Sequence, residues 1–323
     1  MRRALRIPCA VSVILALVVL ACSCGAVSPW SIQTQEGEAS LLAVAAGDST
    51  HAWAVGGGPV YFFNGVSWTT QVKSLEAEPT DVTSSDATHA WACGGDGKGV
   101  VWSSEGAAWT KRFESVDSTI SIISASDAAH VWAVGTGDSG SNIYFFNGTA
   151  WVLQYSAPVH FQDLFALDPT HVWAVAEDKS GRSHIYFFDG STWTKQLEAP
   201  EHNFFFGVAA FDARHVWAVG SLEEPGGNTE VVPGLVYFFD GGRWSRQQDV
   251  PEQLHKVSAV DGTHVWAAGG IGSSGPVYFF DGHSWKKQYD ARESLFDIAA
   301  SDTRHAWAVG GLGGIFVYEN TPL

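Results

Sequence analysis

Seven histidines, His51, His89, His130, His171, His215, His264 and His305, each stand three residues after an aspartate and two before a tryptophan. The aspartates are Asp48, Asp86, Asp127, Asp168, Asp212, Asp261 and Asp302. Imidazole beside carboxylate is the usual pair for proton transfer, and both types ligate metals. The repetition points to a different job. A residue present in every copy of a unit meets a need that every copy has, whereas a site draws on residues that break the symmetry. In D-x-x-H the carboxylate is placed to accept N–H bonds in a hairpin turn, and the imidazole to pack beside Trp and bond a turn group. The seven pairs are therefore expected to be structural.

The elements that position them follow from the rest of each unit. The histidines are 38, 41, 41, 44, 49 and 41 residues apart. Further along comes a second phrase, such as "YFFNGVSW" or "YFFDGSTW", ending at Trp68, Trp109, Trp151, Trp193, Trp244 and Trp285. The second copy, "VWSSEGAAW", departs by placing Trp102 where other copies have Tyr. Each unit reads as four short strands with turn signals between them; in the fourth, A is about 161–167, B 171–176, C 184–188 and D 192–197. A period near 41 with four strands per unit is the signature of a propeller. The seventh unit lacks its closing Trp strand, and "PWSIQTQ" from Pro29 matches the missing piece. The expectation is an all-β, seven-bladed β-propeller of four-stranded blades, closed by the N-terminal strand joining the last blade.

Residues 1–26 read as an export signal: Arg2, Arg3 and Arg6 precede an apolar run over 11–21 that is short for a membrane span. Its end, Val19-Leu20-Ala21-Cys22, resembles a bacterial lipobox, which implies lipidation of Cys22; an ordinary cut after Ala26 is the alternative. Residues 27–323 then form one propeller domain. Without the signal, 15 Lys and Arg face 34 Asp and Glu, a net charge of −19. So acidic a surface excludes a nucleic-acid binder. Cys93 alone lies in the folded region, which rules out an internal disulfide framework, and it replaces Val in "WAVG" as a small apolar residue.

Double glycines after strand B, as at Gly56-Gly57, Gly94-Gly95, Gly269-Gly270 and Gly310-Gly311, and a Tyr separated by six residues from Trp, as in Tyr61 to Trp68, resemble kelch repeats. The Asp-Gly-x-x-Trp ending is similar to the Asp-box of sialidases, with one residue fewer. These resemblances imply a propeller and carry no activity over. A sialidase needs an arginine cluster, and no strand A carries Arg; a copper-radical site needs a Cys paired with Tyr, and Cys93 is the one candidate; a glycosidase would have to use Asp163 with Asp297.

Function is sought where the repeats differ. The B-to-C and D-to-A connections share one rim, and the fifth blade's B-to-C loop is long, with Glu223 and Glu224. The channel-facing position five residues before each repeated Asp reads Ala43, Asp81, Ile122, Asp163, Gly207, Lys256 and Asp297. With His160, Gln162, His202 and His255 nearby, these form the candidate binding patch, expected at the channel mouth on that rim. No cofactor is required, although the carboxylates would suit Ca²⁺. The reading is an exported, membrane-anchored, monomeric scaffold binding a protein or surface ligand; a glycan-binding lectin and a hydrolase or lyase are the alternatives. Strand polarity sets the anchor below the hairpin rim and points the other rim outward.

Overall fold

Apolar strand formers bounded by turn residues at constant places resolve into seven antiparallel four-stranded sheets in the computed structural model, one sheet per repeat. The structure describes residues 28–35, 39–106, 108–222 and 232–320. Cys22 and the signal, and Glu223 and Glu224, lie outside the described residues.

In the fourth blade strands A to D are Val159–Asp168, His171–Asp178, Ser183–Phe188 and Trp193–Glu198. Strand B is buried on both faces from residue 172 to 176, which is why it reads as an unbroken apolar run there. The strand-B indoles Trp53, Trp132, Trp173, Trp217, Trp266 and Trp307 are fully buried between blades. Each hides about 150–250 Å². The A strands, Ala43–Asp48, Pro79–Ser84, Thr119–Asp127, Val159–Asp168, Asn203–Asp212, Leu254–Asp261 and Leu295–Asp302, pack side by side around a central channel.

Closure occurs where the strand polarity requires it. Trp30–Gln35 pairs antiparallel with Gly314–Glu319, with Trp30 opposite Tyr318, and completes the sheet of the seventh blade. Trp30 is buried, and its Nε1 donates to Gln288 Oε1 of the sixth blade at 2.8 Å. Gln33 accepts from Trp68 Nε1 of the first blade, also at 2.8 Å. The N-terminal strand thus ties three blades together.

The same indole-to-glutamine bond recurs from blade to blade. Trp109 donates to Gln71, Trp193 to Gln154, Trp244 to Gln196 and Trp285 to Gln247, each at 2.8–2.9 Å. On the same rim lie the D-x-x-H hairpins. Each aspartate accepts the backbone N–H two residues on, at 2.6–2.8 Å. Each histidine Nδ1 lies 2.7–3.1 Å from the carboxylate of its own aspartate. A carboxylate only accepts, so Nδ1 carries the proton. Five of the imidazoles also rest 5.7–6.0 Å from the strand-C Phe of their blade. Partial burial alone would raise these seven carboxyls; the turn N–H groups and the imidazoles outweigh it and hold all seven below the usual range. The repeated Asp and His are spent on the hairpin, and the imidazole bonds the aspartate itself.

Candidate functional site

An A strand at the channel is a sheet edge, whose outward N–H groups need acceptors. The sequence supplies them from the neighbouring blade. Asp81 accepts from Ile123 N at 2.8 Å, Asp163 from Val208 N at 2.9 Å and Asp297 from Val44 N at 2.8 Å. Two residues after the channel positions Asp81, Ile122 and Lys256, Thr83 accepts from Ala125 N, Ser124 from Ala166 N and Ser258 from Ala300 N, at 3.0–3.3 Å. Each bond crosses a junction between consecutive blades. The second oxygens of Asp81 and Asp297 accept the N–H of Val82 and Ile298, both at 2.8 Å. The second oxygen of Asp163 takes the Lys256 ammonium.

Lys256 therefore crosses from the sixth blade to the fourth. Gly207 stands at the channel position of the fifth blade between them, where a Cβ would fall 2.7 Å from the His255 carbonyl oxygen and 2.9 Å from Lys256 Cα. Three carboxylates and one ammonium share a cavity of about 280 Å³. Burial, together with the neighbouring carboxylates, pushes the Asp81 carboxyl up to about 7 and Asp297 up to about 6, against the opposing pull of Lys256. Burial would lower Lys256, but Asp163, Asp81 and Asp297 more than reverse that and hold its ammonium above the ordinary lysine range.

This geometry bears on the Ca²⁺ expectation. The cation among the carboxylates is Lys256, and all six carboxylate oxygens already accept a hydrogen bond. Among the described residues no group of three or more His, Cys, Asp or Glu side chains is placed to hold a metal ion. Cys93 is free and fully buried, its thiol pushed up by burial and by Asp81. It is not poised as a nucleophile.

The charged tier lies within the channel and not at the mouth expected from sequence. Asp81, Asp163 and Asp297 pair with Cys93, Val175 and Val309 in mid-strand. The cavity runs from there toward the hairpin rim, past Thr83, Ala166 and Ala300. What crowns the channel at the other rim is a set of β-bulge residues. In six of the seven blades the A-to-B register slips just before the channel residue, at Thr80, Ser121, Gln162, Phe206, His255 and Phe296. A bulge re-aims a side chain at a barrel rim. Gln162 and His255 are thus members of this crown.

His255 donates from Nδ1 to the Leu295 carbonyl at 2.8 Å and receives Gln253 Nε2 at its own Nε2 at 2.7 Å. Burial, with the neighbouring Lys256, lowers its pKa against the bond to the Leu295 carbonyl. His160 is half-buried near the start of its strand, opposite Glu177. His202 lies on the rim with φ of 65° in the turn that follows Pro200, beside Arg182 and Glu201. The structure brings Asp81, Asp163, Lys256 and Asp297 together with His255 alongside, and leaves His160 and His202 outside the channel cavity.

Sequence reading missed an apolar arc on this rim. The half-buried Phe206 and Phe296 flank His255, ring centroids 6.3 and 6.4 Å away. Leu42, Ile271 and Leu312, exposed by 37%, 47% and 54%, continue the arc over blades six, seven and one. The signal was available: the residue preceding each channel position is apolar in blades five, seven and one.

No family model matches the chain, and no curated protein resembles it significantly. Among solved structures the chain is similar to "YCF48 bound to D1 peptide", with a TM-score of 0.66 at 16% identity over 91% of this chain and 97% of that one. It is likewise similar to "YCF48 from Cyanidioschyzon merolae", TM-score 0.65 at 16% identity over 90% and 98%. The RRP9 WD40 repeats give 0.63 at 9% identity over 90% and 97%. At these identities the likeness is one of fold: the chain is a seven-bladed β-propeller related in architecture to YCF48 and WD40 propellers.

Proposed function

We propose that the protein is a non-enzymatic scaffold that binds a protein partner through the rim carrying the B-to-C and D-to-A connections. The apolar arc carries this reading. Leu42, Phe206, Ile271, Phe296 and Leu312 place exposed or half-buried apolar side chains on this one rim, residue types that recognition patches use. The channel carboxylates support that face from beneath by holding adjacent A strands together, and Lys256 ties the sixth blade to the fourth. A propeller of similar shape, YCF48, is recorded bound to a peptide, which agrees with this use of the fold.

Export and anchoring through Cys22 belong to the same proposal. Trp30 enters from the hairpin rim, opposite Tyr318 at the end of strand C. Eight residues of chain from Cys22 span at most ~29 Å. The disc then stands close to the membrane with its apolar arc facing outward.

A photo-crosslinking residue placed at Ile271 or Leu312 of the full chain, expressed in its host, is expected to give discrete protein adducts. The same residue at Val66, 85% exposed on the hairpin rim, is the control. Equal adducts from Val66, or none from Ile271 and Leu312, would overturn the assignment of the face. Cys22→Ser is expected to release the protein from the membrane fraction; retention there would remove the anchor from the proposal.

A further inference from the structure

The second blade breaks the repeat at its junction with the third, and the breaks converge on one cavity. In five blades a strand-C phenyl ring lies against the strand-B indole opposite it, at 4.7–5.2 Å between centroids: Phe62, Phe145, Phe187, Phe238 and Phe279. The register places Val317 there in the seventh blade and Ser103, opposite Trp91, in the second. This is the polar exception. The ring that packs beside five of the imidazoles is missing next to His89.

A second exception faces the same junction. Six strand-D indoles donate to a glutamine three residues after the preceding blade's own strand-D Trp. For Trp151 the corresponding residue is Arg112, which has no acceptor to offer. Trp151 Nε1 is accordingly buried without a partner. Arg112 turns away to donate from Nε to Ser103 Oγ at 2.7 Å and from Nη2 to Glu105 at 3.3 Å. Between these residues lies a cavity of about 780 Å³, lined by Trp91, Phe113, Phe146 and Trp151 together with Ser103 and Arg112, and also by His89, Glu105 and Lys111. That volume is the size of a small-molecule site. It opens on the hairpin rim, opposite the apolar arc, and is independent of the function proposed above.

The cavity differs from the other junctions in three ways that define its occupant. A phenyl ring is absent from an aromatic wall. The strand-D indole N–H lacks the glutamine oxygen that it has at the other six junctions. A neutral carboxamide is replaced by a guanidinium, in a chain whose net charge is −16. We propose that the junction of blades two and three binds an aromatic carboxylate. The ring fills the place that Phe holds in five blades, against Trp91 and Phe146. The carboxylate accepts from Trp151 Nε1 and from the Arg112 guanidinium, whose planar fork suits it. Ser103 is small enough to admit the ring, and its hydroxyl holds the guanidinium in reach. Two sources share this chemistry: a free aromatic acid and a peptide ending in Phe.

Calorimetric titration of the full chain tests the assignment, with 3-phenylpropionate, N-acetyl-Ala-Ala-Phe, its C-terminal amide and methyl glucoside as probes. Binding of 3-phenylpropionate alone supports a free acid as ligand. Binding of the tripeptide acid but not its amide supports a peptide terminus. Ser103→Phe and Arg112→Gln restore the residues of the other blades and are expected to fold. Ser103→Phe is expected to abolish binding, and Arg112→Gln to weaken it about ten- to a hundredfold, the loss expected for one charge-assisted contact. Binding unchanged by Ser103→Phe would overturn the proposal, as would amide and acid binding equally. Saturation by methyl glucoside with neither acid bound would overturn it in favour of a sugar, and no binding of any probe into the millimolar range would overturn it outright.

Discussion

Replacing Lys256 with Met removes the one cation from the channel while keeping the length of the side chain. In the parent at pH 8 the ammonium faces Asp163, to which it is hydrogen-bonded, and the carboxyls of Asp81 and Asp297. Breaking a buried pair by deleting one partner costs about 3–5 kcal/mol. For a domain of this size the unfolding entropy makes ~0.6 kcal/mol equivalent to one degree. A fall in Tm of about 5–8 °C at pH 8 follows. At pH 5 the charge being balanced is smaller, because Asp81, at about 7, and Asp297, at about 6, already hold protons in the fold. The loss of Tm on removing Lys256 is therefore expected to be smaller at pH 5 than at pH 8. Melting curves of parent and variant at both pH values, followed by circular dichroism, make the comparison. An equal drop at pH 5 and pH 8 would refute the electrostatic account, because it would mean that Lys256 acts through its methylenes alone.

The parent itself should melt higher at pH 5 than at pH 8. Asp81 and Asp297 have folded pKa values above the unfolded 3.8, so folding takes up protons between about 4 and 7 and their stabilisation is lost as pH rises through that window. His255, lowered by burial, opposes this below 6.5, one group against two. The hairpin aspartates, all lowered, reverse the trend only below about pH 4; a Tm that rises steadily from pH 5 to 8 would contradict the assignment. Trp30→Ala empties a buried indole site at the closure and should cost about 3–5 kcal/mol, read as a fall in Tm and as faster proteolysis within 28–35. Asp168→Ala should cost about 1 kcal/mol by freeing the turn N–H of Thr170, whereas Asp168→Asn, which keeps that acceptor, should cost less; thermal melts of the two separate the turn bond from the bond to His171.

Most of the fold was legible from the chain because its logic is local and repeated. D-x-x-H closes a hairpin over four residues, and the Asn-Gly and Asp-Gly turns close another. A Trp phrase at the wrong end of the chain announced where the ring would shut. The site was less legible, for reasons visible in particular residues. Asp81, Asp163 and Asp297 stood out as charges in apolar strands, yet their partners, Ile123, Val208 and Val44, lie a blade away and engage through backbone N–H groups that a sequence does not display. In the second blade Trp102 drew attention, and it proves to be an ordinary core residue, buried like the tyrosines it replaces. The consequential substitutions were its neighbour Ser103 and the more distant Arg112.

By itself the sequence determined the number of blades, the strand order within each, the closure and the structural role of the repeated Asp and His. Each of these depends on residues close together in the chain, or on a pattern that recurs. Only the tertiary structure decided which exceptions to the pattern meet one another. Contacts between blades join side chains some 40 residues apart, as Trp193 and Gln154 are, and whether a given indole finds an acceptor or an arginine is settled by packing across that gap.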